Sequence, residues 1–149
     1  MIDIRKFVGS GFFTGYFPKA PGTFASLIAL FIYLIPGFEN LYFQLLFIVI
    51  SIIAGIPIGN YFEKIYGKDP GCFTLDEFIG TWISLLFIPK NYLMLILSFI
   101  LWRILDITKP FPANKAENLK GGLGIIMDDV ISGMYSLIIM HIFMNIFFE

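Results

Sequence analysis

Apolar residues along this chain gather into five runs: Phe24–Ile35, Leu41–Ile58, Phe78–Ile88, Tyr92–Leu101 with an extension to Ile107, and Val130–Phe148. Polar or Gly/Pro-bearing segments separate them, at Pro36–Asn40, Gly59–Glu77, Pro89–Asn91 and Thr108–Asp129. Runs that are hydrophobic on every side predict helices immersed in lipid or in a core. A bilayer crossing needs roughly 20 residues, within a range of about 17–25. The second and fifth runs reach that length. The short runs 24–35 and 78–88 span fully only if their helices begin inside the polar segments before them. The expected fold class is all-α: a multihelical integral membrane protein of about four to five apolar helices, built as one domain over residues 1–149.

The segment before the first run, Met1–Thr23, carries Gly9, Gly11, Gly15 and Gly22 with Pro18 and Pro21, and reads as a structured loop. Thr23 is a candidate helix cap, with Ser26 in the turn that follows. No cleaved signal peptide is expected, because MIDIRKFVGSGFF lacks an apolar core with a small-residue cleavage site.

Composition agrees with lipid contact. Hydrophobic residues make up 58% and charged residues 14% of the chain, and there are 18 phenylalanines; soluble domains run nearer about 45–50% and about 25%. The mean hydropathy is +0.84. A net charge of -1 gives no basis for nucleic acid binding, and the single cysteine, Cys72, forms no internal disulfide. The charges are nevertheless segregated. With five crossings, Arg5, Lys6, Lys19, Lys64, Lys68, Lys109, Lys115 and Lys120 fall on one side with Arg103 at its edge, and Lys90 is alone on the other. The positive-inside rule makes the crowded side cytoplasmic, with the N-terminus inside and Glu149 outside. The same topology gathers the polar motif loops on the cytoplasmic face.

Those motifs carry the candidate chemistry. The acids are Asp69, Asp76, Glu77, Asp106, Asp128 and Asp129, and ionisable residues beside membrane spans usually mark function. Neighbouring carboxylates on a helix point about 100° apart, so one of a pair can bind an ion while the other supports it. Arg103 and Asp106, three apart, share a helix face, and Lys109 follows just before Pro110 ends the helix. This alternation of acid and base suits a site for a divalent cation and an anion together. Mg²⁺ takes few carboxylates and bridges to phosphate oxygens, while Lys and Arg hold the remaining phosphate charge. The plainer alternative is a set of interfacial salt bridges anchoring helix ends. Gly121–Gly124 precede a helix expected to start near Ile125; the backbone at Gly122 is a candidate anion contact, although GGLG alone also reads as a plain turn. Asp128 and Asp129 near that N-terminus would be favoured by the helix dipole as well. His141, deep in the last run, reads as structural. Cys72 lacks the arginine of a C-x5-R phosphatase, since Phe78 stands six residues on, and no D-x-D sequence is present for an aspartyl-phosphate mechanism. Metal-assisted hydrolysis remains.

Three ordered stretches, GSGFFTGYFPKAPGTFAS (Gly9–Ser26), KDPGCFTLDEFIGTWISL (Lys68–Leu85) and RILDITKPFP with GGLGIIMDDVISG (Arg103–Gly133), resemble the phosphatidylglycerophosphatase A family. Two small departures are Ala25, where that pattern has glycine, and Ser132, where alanine is common. The resemblance implies a bacterial inner-membrane, multi-pass enzyme of phospholipid biosynthesis. It would remove the terminal phosphate of phosphatidylglycerophosphate to leave phosphatidylglycerol, with Mg²⁺ as cofactor and the active site facing the cytoplasm. Carried onto this chain, it singles out Asp76 with Glu77, Asp128 with Asp129, Arg103 with Asp106 and Lys109, and Lys68 with Asp69; their own chemistry then makes Asp76, Glu77, Asp128 and Asp129 the metal candidates and Lys68, Arg103, Lys109 and the Gly122 backbone the phosphate-binding ones. Asp76, Glu77, Asp106 and Asp129 are the catalytic candidates, with Asp106 or Asp129 positioning the attacking water. Other readings are a phosphatase of another lipid or prenyl phosphate and a non-catalytic transport or assembly subunit. Transport predicts ionisable groups at mid-span, whereas these cluster at one edge.

Overall fold

A computed structural model describes residues 3–147, and the expected positions of Phe148 and Glu149 lie outside the described residues. The described residues are helical with no strand. In chain order they form α1 (Ile4–Gly9), a 3-10 turn (Thr14–Tyr16), α2 (Pro21–Leu34), α3 (Leu41–Tyr66), α4 (Leu75–Ser84), α5 (Tyr92–Thr108), α6 (Ala113–Ala116) and α7 (Gly122–Phe147).

Local chemistry sets these boundaries. Asn40 caps α3 by accepting from the Tyr42 and Phe43 N–H groups, and Asn91 caps α5 through Leu93 N–H. Helix α5 stops where Lys109 turns left-handed ahead of Pro110. Three expected boundaries move. Helix α2 starts at Pro21 on an Ala20 cap, so Thr23 sits inside its first turn, and its hydroxyl serves another purpose. Helix α3 continues past Ile58 to Tyr66, because Phe62 is fully buried and Gly59 packs against Gly122 of α7. Helix α7 starts at Gly122 rather than near Ile125, which puts Asp128 and Asp129 in its second turn. The helix dipole falls off within the first turn, so it gives these acids little support.

Helix α4 is the axis of the bundle. Every residue of α4 except Glu77 is buried, among α2, α3, α5 and α7. Close backbone approach makes this possible: a Cβ at Gly80 would overlap the Trp102 ring of α5, and a Cβ at Gly133 of α7 would lie 2.8 Å from the Gly80 carbonyl oxygen. At one end Gln44 Nε2 donates to the Trp82 carbonyl at 2.8 Å, and Tyr33 Oη donates to that of Ile88 at 2.7 Å. Lys90 Nζ also caps the end of α2 there, donating to the Leu34 and Ile35 carbonyls and to Glu39. Consecutive long helices therefore run antiparallel. The opposite end collects the starts of α2, α4 and α7 and the ends of α3 and α5.

Only α3 and α7, at 26 residues each, combine the length and hydropathy needed to cross a bilayer among the described residues. Just 17% and 22% of their most apolar stretches are buried, unlike the core helix of a soluble protein. Their outward side chains, such as Leu46, Ile50, Ile53, Ile138 and Ile142, are exposed and apolar, and Ile96, Ile100 and Ile104 extend that surface along α5.

Candidate metal and phosphate site

The collecting end places most of the sequence-predicted residues together. Asp76 and Glu77 occupy the first turn of α4, and Asp129 reaches them from α7. One carboxylate oxygen from each of the three lies within 4.8 Å of the others. Asp76 and Asp129 are buried and Glu77 is half-buried. Glu77 Oε2 and Asp129 Oδ2 are buried without any hydrogen-bond partner. Unpartnered buried carboxylate oxygens are costly, and an all-oxygen donor set fits a hard divalent cation such as Mg²⁺. Helix α4, at ten residues, is too short to cross a bilayer on its own. Burial, helped by the adjacent Glu77, pushes the Asp76 carboxyl well above the usual range. Burial likewise pushes Glu77 up to about 7, against the pull of Asp76 hydrogen bonding and the Arg103 charge.

Arg103 stands beside this trio. It pairs with Asp106 one turn on, and its Nη1 and Nη2 donate to Ser26 Oγ at 3.2 Å and Thr23 Oγ1 at 3.4 Å. Its Nε remains buried and unpartnered. The hydroxyls explain PGT-x-x-S: three residues apart on α2, they fix the guanidinium instead of capping the helix. Gly22 has a second role there. A Cβ on it would overlap Glu77 Oε1 and lie 3.3 Å from Arg103 Nη2, so a side chain would intrude between acid and base.

Four expected contributors, Asp128, Lys109, Gly122 and Lys68, are engaged elsewhere or stand apart. Asp128 points away from the trio: its Oδ2 pairs with Lys109 Nζ at 2.7 Å, and its Oδ1 accepts the Asp129 N–H. Lys109 also reaches Glu117 at 3.3 Å and Asp69 at 3.7 Å. Burial works against its charge, but these carboxylates, Asp128 foremost, hold its pKa above the ordinary lysine value. Gly122 gives its N–H to Asn60 Oδ1 at 2.8 Å and is packed on α3, so that donor is already used. Lys68 is exposed in the turn before α4 and makes no ion pair with the cluster. Thr23, Ser26, Gly22 and Glu117 were not singled out by sequence as site residues. The i, i+3 spacing of the two hydroxyls was the available signal.

The sequence profile described as phosphatidylglycerophosphatase A matches residues 7–144. The chain is 41% identical over 143 residues to a putative phosphatidylinositol-3-phosphatase of Bacteroides thetaiotaomicron, covering 91% of this chain and 90% of the relative. It is 34% identical to phosphatidylglycerophosphatase A of Escherichia coli, with 88% and 78% covered. The same protein of Haemophilus influenzae is 32% identical, with 87% and 82% covered. No solved structure matches it.

Proposed function

The chain belongs to the phosphatidylglycerophosphatase A family and is a phosphatase, and from that premise we propose that it is the Mg²⁺-dependent enzyme hydrolysing phosphatidylglycerophosphate to phosphatidylglycerol and phosphate in phospholipid synthesis. The observation that carries this reading is the trio Asp76, Glu77 and Asp129, with its buried unpartnered oxygens, set against Arg103. Asp76, Glu77 and Asp129 would hold the cation. When bound, Mg²⁺ supplies charge neutralisation at the phosphoryl oxygens and lowers the pKa of a coordinated water.

The chain's own groups do the rest. Arg103, pre-oriented by Thr23, Ser26 and Asp106, donates to the phosphate and offsets charge as it builds up on the phosphoryl oxygens. Exposed Lys68 is a further cation for the head group. A carboxylate orients the attacking water and takes its proton; the water oxygen bonds to phosphorus while the ester P–O bond breaks, and the departing alkoxide is protonated. Of the two candidates, Asp106 is already engaged by Arg103; Asp129 has no ion pair and would give the cation one oxygen and the water the other, which favours Asp129. The acyl chains stay in the lipid, with the phosphomonoester at the cytoplasmic leaflet.

A second substrate reading has support in the relative named as a phosphatidylinositol-3-phosphatase. Phosphate release by the purified protein in detergent, with phosphatidylglycerophosphate and phosphatidylinositol 3-phosphate in parallel, separates the two. The expected result is preferential release from the first, loss with a chelator, rescue by Mg²⁺, and loss in a folded Asp129→Asn variant. Turnover that persists after chelation would defeat the metal assignment.

A further inference from the structure

Four carboxylates around the site are held by two cations. Arg103 takes Asp106; Lys109 takes Asp69, Glu117 and Asp128. Asp76, Glu77 and Asp129 remain without an ion-pair partner. We propose that the Lys109 ammonium fills the position a second divalent cation would otherwise take, so that the site binds one ion and Asp128 is withheld from it. This inference rests on the metal reading above.

Three observations support it. Both Asp128 oxygens are already engaged, Oδ2 by Lys109 and Oδ1 by the Asp129 N–H, whereas Asp129 Oδ2 has no partner. The contact with Lys109 is tightest where it is driest: the Asp128 side chain is 3% exposed at 2.7 Å, while Glu117 and Asp69 are 36% and 38% exposed at 3.3 and 3.7 Å. The backbone also bends to allow the cluster. Lys109 and Asp69 both adopt left-handed conformations, at φ of 43° and 46°. That region is unfavourable for a long side chain such as lysine, and only its side chain reaches the carboxylates of three separate segments. Adjacent acids on α7 therefore divide the work. Asp129 turns to the metal trio, and Asp128, about 100° around the helix, is tied to Lys109. Lys109 is thus a positioning residue, acting on the metal site through Asp128.

The test is a count of bound Mn²⁺ on the purified full chain in detergent, by equilibrium dialysis with metal analysis. The wild type is expected to bind one tight ion. Asp128→Asn should keep that ion with its Kd within about tenfold, while Asp129→Asn should weaken it more than about 100-fold. Lys109→Met, which frees Asp128, should gain a second ion, and K109M/D128N should return to one. If K109M fails to fold, the wild-type count and the D128N–D129N contrast still decide. Two ions on the wild type, or loss of the ion in D128N, would overturn this inference and leave the phosphatase reading standing. No Mn²⁺ on the wild type would overturn both.

Discussion

Gly22 and Glu77 are in direct opposition across the α2–α4 contact: the hydrogen of Gly22 faces Glu77 Oε1, in space that a methyl group would occupy. The obstructed atom is the end of a flexible side chain, so relief comes by swinging the carboxylate away, not by opening the bundle. Gly22→Ala is expected to unfold within about 1 kcal/mol of the wild type. Its metal affinity and kcat/KM should fall at least about tenfold. Thermal unfolding beside a Mg²⁺ titration of activity separates the two effects. A proportional loss of both would mean that Gly22 serves packing alone.

The raised carboxyls of α4 give the site a pH dependence of definite sign. Burial lifts Asp76 and brings Glu77 to about 7, so the metal-free folded chain binds protons more tightly than the unfolded chain does. The contribution of Glu77 to metal-free stability is therefore fully present below about pH 4.5 and is lost as pH rises through about 7. A cation competes with those protons, so the apparent Mg²⁺ affinity should rise across the upper part of the same window. Unfolding midpoints with and without Mg²⁺, measured from pH 5 to 8, check both slopes. A Mg²⁺ affinity that does not change with pH would contradict the assignment of Glu77.

Arg103 is held by partners that match a planar fork: Ser26 and Thr23 on α2 and Asp106 on its own helix. Lysine keeps the charge but cannot reproduce that fork. Arg103→Lys is expected to lower kcat by about 100-fold or more. Little change in kcat would indicate that Arg103 serves only as a counter-charge for Asp106.

The helices were legible from apolar runs because α2, α3, α5 and α7 present large side chains to lipid or core over most of their length. The acidic site was legible as a set, since few ionisable residues interrupt those runs. Its internal division was not. Whether Asp128 or Asp129 faces the trio depends on helix rotation and on Lys109, two elements away, and neither is a local property of MDD. Thr23 and Ser26 looked like capping residues because capping is what their types do nearby, and the Arg103 contact is 77–80 residues distant. The number of crossings was obscured for a related reason. The run at 78–88 reads as apolar, yet the part of it in α4 spends its side chains on the protein interior.

Gly80 shows how the core supports that division. A methyl group there would overlap the indole of Trp102, a fully buried ring next to Arg103 in sequence, with the α7 backbone on the other side. Neither neighbour can yield cheaply. Gly80→Ala is expected to cost about 1–3 kcal/mol or more, with loss of activity following loss of folded protein. Wild-type thermal stability in G80A would contradict this packing account.

The sidedness of the site follows from α3. Glu39 immediately precedes α3 and Lys68 follows its end, so if this 26-residue helix crosses the bilayer the two lie on opposite sides. Lys90 binds Glu39 at 2.7 Å, which carries Lys90 to the side away from Lys68. The segment between them, α4 with its flanking loops, then traverses the protein although α4 alone is only about 15 Å long. In a Cys72→Ser background, Lys68→Cys is expected to react with an impermeant maleimide only in inverted vesicles and Lys90→Cys only in right-side-out ones. Both positions reacting from one side would leave α3 and α7 as separate crossings with 67–121 wholly on one face, and would break the bundle that brings Asp76 to Asp129.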